Sequence, residues 1–257
     1  MANSMSVDGT DLSAYGLYVT RGTLPGMPDA EENVRIIGQM DGGVSSPRTY
    51  SPRQIVTEVV ISAASYALML TAIDNVKKVL MPREDVEVAW DRWTDRYYMG
   101  RSTLRDIALE GPTFARGEIV TVCADPFAYA VTESTDTETV DVGTGGVSVT
   151  ITGAGTSIAY PVILFEATGT RTGVVIEHDA LDTRITYSGQ LVSGDKLRIN
   201  CNPTDWLVEK MPTGDDAYVA VMDSVDGQFP HIEVGDNTFT VYWFTGDVTW
   251  TWRERYA

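Results

Sequence analysis

From residue 147 onward the chain repeats one pattern, a short stretch of alternating apolar and polar residues followed by a turn marked with Gly, Asp or Asn. The stretches are Val147-Ser-Val-Thr-Ile151, Pro161-Val-Ile-Leu-Phe165, Gly173-Val-Val-Ile-Glu177, Arg184-Ile-Thr-Tyr187, Lys196-Leu-Arg-Ile199, Ala217-Tyr-Val-Ala-Val-Met222, Thr238-Phe-Thr-Val-Tyr-Trp243 and Val248-Thr-Trp-Thr-Trp252. Alternation with period two sends every second side chain to the same face of a strand, and nothing in this half has the 3.6-residue period of a buried helix. Short strands at regular spacing, each with one apolar face, read as a β-sandwich.

The first half is different. Tyr66 to Leu80 carries Met69, Ile73, Val76 and Leu80 at helical spacing, has Lys77 and Lys78 near its end, and stops at Met81-Pro82. Gln54 to Ile61 is rich in β-branched residues and places Ile55, Thr57, Val59 and Ile61 on one face, as a strand does. Further strands are expected at Val86–Trp90, Arg96–Met99, Leu104–Leu109 and Glu118–Cys123, so one helix serves a mostly antiparallel sheet. Gly38 to Arg53 is rich in Gly, Ser and Pro and is too long for a tight turn. It reads either as an ordinary disordered loop or as an exposed arm that becomes ordered against a neighbouring chain.

A boundary is expected near Asp125-Pro126-Phe-Ala-Tyr129. Proline cannot donate to a sheet ladder, and the run Thr132 to Thr139, rich in Thr and acids, has little to bury. The expected domains are 1–130, mixed with one helix, and 131–257, a sandwich whose basic tail Arg253-Glu-Arg-Tyr256 reaches back to the first. Charge divides at the same place. Residues up to 130 hold 12 basic and 17 acidic side chains, net −5, and the remainder hold 7 and 19, net −12, for a total of −17. Binding nucleic acid through a basic face is excluded by that balance. No apolar run is long enough to span a membrane, and Met1–Ser6 lacks the features of a secretion signal, so assembly in cytosol is expected.

No arrangement of residues announces chemistry. Cys123 and Cys201 fall in strands and read as reduced, buried thiols, and with His178 and His231 they lack the spacing of a zinc site. The pairs Asp215 with Asp216 and Glu166 with Glu177 suit a carboxylate-pair hydrolase by type alone, and in so acidic a chain they read as solvated surface. Asp223-Ser-Val-Asp-Gly227 departs from the calcium-loop pattern. His178, flanked by Glu177 and Asp179, reads as an exposed strand-end residue. The late aromatics Trp206, Tyr218, Tyr242, Trp243, Phe244, Trp250 and Trp252 allow a sugar-stacking surface, but Trp250 and Trp252 share one strand face and read as core.

Several islands carry a family likeness. Val7-Asp-Gly-Thr-Asp-Leu-Ser-Ala-Tyr-Gly-Leu17, the glycine turn Ile37-Gly-Gln-Met-Asp-Gly42, the helix ending at Leu80 and Asp95-Arg-Tyr-Tyr98 resemble the N-terminal belt domain of distal tail proteins from long, flexible-tailed bacteriophages. Cys123-Ala-Asp-Pro-Phe-Ala-Tyr129 is similar to the domain junction of that family. Gly153-Ala-Gly-Thr156, Ala159-Tyr-Pro161, Gly227-Gln-Phe-Pro230 and Val234-Gly-Asp-Asn237 resemble turns of its C-terminal galectin-like sandwich.

The resemblance implies a mainly β structural protein of the virion tail tip, with a belt domain like tail-tube folds and a galectin-like sandwich. It implies a homohexameric hub ring with the tail tube protein, the tape measure protein, the tail-tip hub and receptor-binding proteins as partners. Genomic DNA would pass through the lumen without specific binding. No catalytic, cofactor-binding or metal-ligating residue is implied, and no cofactor. The alternatives from other classes are a carbohydrate-binding protein that recognises a host glycan and a hydrolase with an unrecognised carboxylate pair.

Overall fold

The structure is a computed structural model that describes residues 3–22, 26–31, 34–36, 43–45, 49–141 and 145–257. The chain forms two compact units, Met1–Val131 with Ala257, and Thr132–Tyr256. The described residues are mostly β, with one α-helix, as the sequence pattern leads one to expect.

In the first unit an antiparallel sheet runs in the order Thr10–Asp11, Met5–Val7, Val86–Trp90, Arg96–Gly111, Phe114–Cys123, Arg53–Ser62 and Leu17–Gly22, with Ala128–Ala130 paired to the start of the fourth strand. Arg53–Ser62 buries alternate residues, Arg53, Ile55, Thr57, Val59 and Ile61. The helix Tyr66–Val79 begins at Ser65, whose hydroxyl accepts from the Leu68 N–H at 3.4 Å, and buries Met69, Ala72, Ile73 and Val76. Lys77 and Lys78 lie in its last turn, where cations complement the exposed carbonyls.

Two expectations for this unit are corrected. Arg96–Met99 and Leu104–Leu109 are one strand, Arg96–Gly111, whose register shifts between Arg105 and Ala108 while Asp106 takes φ 51°. The polar residues 101–103 that read as a gap stay paired with Phe114–Cys123, and the irregularity is a β-bulge at Asp106, inside the second expected strand. The opening residues, assigned no element from their pattern, form strands and a 3-10 turn, Leu12–Tyr15, capped by Asp11, which accepts from the Ser13 N–H at 2.8 Å. Gly16 ends that turn at φ 74°, and a Cβ there would collide with the Ser62 carbonyl.

The second unit is a two-sheet sandwich. One sheet runs Ser134–Asp141, Thr245–Trp252, Val162–Ala167, Lys196–Asn200, Leu207–Met211, Val219–Ala220; the other runs Val147–Gly153, Gly235–Tyr242, Arg171–His178, Thr183–Leu191, Val225–Gly227. All pairs are antiparallel. Their inward faces share one core around Phe165, Phe239, Phe244 and Trp250. Phe165 meets Phe244 edge-on at 5.0 Å and Phe239 meets Trp250 at 4.6 Å.

The polar run 132–139, expected to be a linker, is largely the strand Ser134–Asp141. Its threonines are β-branched and it sits at a sheet edge, so burying Val140 alone suffices to seat it. Ala217–Met222 yields only Val219–Ala220 before a 3-10 turn at Met222–Ser224, and Leu207–Met211 is a strand that the pattern did not mark. No helix among the described residues is long and apolar enough to cross a membrane.

Candidate functional site

The residues nominated for chemistry are not brought together. Glu166 and Glu177 lie on different sheets of the sandwich, each in a cross-strand ion pair, with Lys196 and with Arg184 respectively. Asp215 and Asp216 are exposed. Asp223-Ser-Val-Asp-Gly227 is a 3-10 turn running into the strand Val225–Gly227, which pairs with Ile185–Tyr187. At Gly227, φ is 107° and a Cβ would meet the Arg184 carbonyl, so that glycine serves strand approach. Among the described residues no group of three or more His, Cys, Asp or Glu is placed to hold a metal ion.

Both cysteines are free and buried. Burial pushes the Cys123 thiol up to about 12 and raises that of Cys201 further, so both are held in the unreactive thiol form.

His178 corrects the expectation of an exposed residue. It is 3% exposed, lies edge-on to Phe239 at 4.7 Å, and has its Nε2 3.0 Å from Asn237 Oδ1. Strand alternation explains this, because His178 follows Val174 and Ile176 on the inward face. Asn237 in turn ties the Val234-Gly-Asp-Asn237 turn together, accepting from the Glu233 N–H at 2.8 Å and donating to the Glu233 and Gly235 carbonyls at 2.8 Å. This island is therefore a structural turn with a buried amide at its centre.

Among the late aromatics, Phe244, Trp250 and Trp252 are core, Tyr218 and Tyr242 are half-buried, and Trp206 and Trp243 are exposed. Trp206 stacks on Phe229 at 5.4 Å and 2° and donates to the Cys201 carbonyl at 3.2 Å.

The strongest functional surface of the first unit is built from its arm and its sheet. Ala30–Glu31 pairs with Thr49–Tyr50, and Val34–Ile36 pairs with Gly43–Ser45, so the described strands of the expected arm 38–53 pair antiparallel with the segment that precedes it. The glycine turn Ile37–Gly42 and residues 46–48 lie outside the described residues. Arg53 anchors the root of the hairpin. Although buried, it donates to the Tyr98 hydroxyl at 2.8 Å and to the Gly26 carbonyl at 2.9 Å, and its guanidinium lies 5.4 Å from the Tyr98 ring. Tyr50 packs edge-on against Phe127 at 5.2 Å. A lone charged residue on the inward face of the strand, in line with Ile55, Thr57, Val59 and Ile61, was the sequence signal for this anchor.

The outward face of the sheet is mixed. Register places Arg105, Glu118, Glu58 and Arg21 side by side across four strands. Next to that charged rung come Thr103, Val120 and Val56, then Arg101, Val122 and Gln54. Val56 and Val122 are exposed, so an apolar strip borders a row of ordered charges. Such a surface suits association with another protein, since the valines gain by burial and the charges fix register. On the core side of the same unit a cavity of about 470 Å³ is lined by Val19, Ile55, Thr57, Trp90, Trp93 and Arg92.

Residues 154–256 match the model of the family described as siphovirus-type tail component, C-terminal domain. No curated protein sequence matches the chain. Among solved structures, the Dit protein of phage SPP1, described as a paradigm of the hub adsorption apparatus in phages that infect Gram-positive bacteria, is similar with a TM-score of 0.81 at 16% identity over 100% of both chains. Structures of the phage P2 baseplate in its activated conformation, one with Ca and one with Sr, each hold a chain that is similar at 13% identity. Their TM-scores are 0.55 over 99% of both chains and 0.54 over 98% of both chains. The chain has the Dit fold from end to end, and the resemblance to distal tail proteins read from its sequence is borne out.

Proposed function

We propose that this protein is a non-enzymatic structural component of a phage virion, the distal hub ring of a long, flexible tail. Six copies close into a ring through the first unit, which acts as the belt, and the second unit is a galectin-like sandwich. The ring joins the last tail-tube ring to the tail-tip hub and receptor-binding proteins, with the tape measure protein ending nearby. It is assembled in the cytoplasm of a host that, by analogy with the SPP1 protein, is Gram-positive.

The observation that carries this reading is likeness over the full length of both chains to a hub protein, at a TM-score of 0.81. Two further features support it. The hairpin arm and the exposed Val56 and Val122 strip give the first unit two different surfaces for a neighbour, and contact between unlike surfaces closes a ring when the rotation allows. A net charge of −17 suits a conduit for DNA, since carboxylates in a lumen do not retain phosphates.

Native mass spectrometry of the purified protein at high concentration tests the ring. A species of six times the monomer mass is expected. A monomer at every concentration, and in disassembled tail tips as well, would remove the reading. Association can require the assembled neighbours, so the tail-tip sample decides.

A further inference from the structure

We propose that the outward face of the five-stranded sheet holds a binding site for a neutral saccharide, centred on Trp243. The site belongs to the sandwich alone and does not rest on ring formation.

Trp243 lies at the crossing from Gly235–Tyr242 in one sheet to Thr245–Trp252 in the other, and its φ is 59°. A bulky side chain is disfavoured in the left-handed region. The crossing sends Phe244 into the core at 0% exposure and leaves the indole outside at 53%. Gly or Asn would make the same turn with less strain, so the turn alone does not account for an indole at this position.

The neighbours of that ring are suited to hydroxyl groups. Register places Glu177 opposite Arg184 and Thr240, and Val175 opposite Tyr242 and Thr186, so these side chains share the outward face. Arg184 lies 6.0 Å from the Trp243 ring, 3.5 Å from Glu177, and donates from Nε to Thr186 Oγ1 at 3.2 Å. The Tyr242 hydroxyl donates to Glu177, and Thr240 donates to Asp179 at 3.0 Å. Arg184 also lines a polar cavity of about 500 Å³ at the adjoining hairpin, with Glu177, His178, Asp179, Asp182 and Thr183, so the guanidinium links the indole to that cavity.

A pyranose has an apolar C–H face and a rim of adjacent hydroxyls. The first matches an exposed indole, and the second matches a forked guanidinium set beside carboxylates already held by hydrogen bonds. Charge narrows the class further. With three carboxylates and one guanidinium around the cavity, an anionic polymer is repelled and a neutral saccharide is not.

The test is calorimetric titration of the full-length protein with maltohexaose, laminarihexaose and chitohexaose, with polygalacturonate as the anionic comparison. At least one neutral hexasaccharide is expected to bind. Trp243→Gly should weaken it at least tenfold while keeping the wild-type melting temperature or raising it, because glycine accepts the backbone angle. Glu177→Gln should weaken binding severalfold, and Trp206→Ala should leave it unchanged. Failure of all three neutral sugars at millimolar concentration, undiminished binding by Trp243→Gly, or tighter binding of polygalacturonate would each overturn the proposal. None of these results bears on the mass of the assembly, so this proposal and the ring can fail separately.

Discussion

Asp195 illustrates how much of this molecule rests on single polar residues that the sequence conceals among many alike. It is 1% exposed, and its carboxylate accepts from the Val192 N–H at 3.0 Å and the Thr213 N–H at 2.8 Å, with the Lys210 ammonium at 2.7 Å. Burial pushes its acidity toward the protonated form, but the Lys210 ammonium and the two backbone N–H groups outweigh that and hold the carboxyl below its usual range. A depressed folded-state value means that the stabilisation is complete above the unfolded-state value of about 3.9 and is lost as pH falls below it. Asp195→Asn should therefore lower the melting temperature at neutral pH and narrow its gap to wild type as pH drops from about 4 toward 2. A constant gap over that range would refute the assignment. The two thiols make a second residue-scale prediction. Neither Cys123 nor Cys201 should react with a thiol reagent at pH 8 until the protein is unfolded, as stopped denaturation with colorimetric titration would read. The burial of both was legible from their strands, whereas that of His178 was not, because its flanking carboxylates read as solvent exposure while strand alternation placed the ring inside.

Among the elements, the helix and the strand Arg53–Ser62 were the most legible, since their apolar periods are long and undisturbed. The continuity of Arg96–Gly111 was hidden because the polar residues 101–103 read alike whether the chain leaves the sheet or stays paired within it. Ser134–Asp141 was hidden for a related reason. An edge strand with one buried side chain owes its place to pairing with Thr245–Trp252, which its own sequence does not record. The hairpin root gives a prediction at this scale. Replacing Arg53 with Ala leaves the Tyr98 hydroxyl and the Gly26 carbonyl without their buried donor and should cost about 2–3 kcal/mol in chemical denaturation. A loss below about 0.5 kcal/mol would show that the root does not depend on it. In the sandwich, Trp250→Ala should cost about 3–5 kcal/mol through lost packing against Phe239. Trp250→Phe should cost much less, because it keeps a ring and removes an Nε1–H that has no partner among the described residues.

For the molecule as a whole, the family islands Val7–Leu17 and Gly227–Asn237 were legible because their glycines and Asn237 are fixed by close backbone approach and by turn geometry. The surfaces that support assembly were not legible, since the Arg105, Glu118, Glu58, Arg21 rung exists only once four strands are in register. The central claim is a place in a particle, and it is tested most directly by cryo-electron microscopy of intact virions from the phage that encodes this chain. The account predicts a sixfold ring directly below the last tail-tube ring, into whose density both units of the chain can be traced. Density for the chain elsewhere in the virion, or a tail tip without any sixfold ring of this fold, would contradict it.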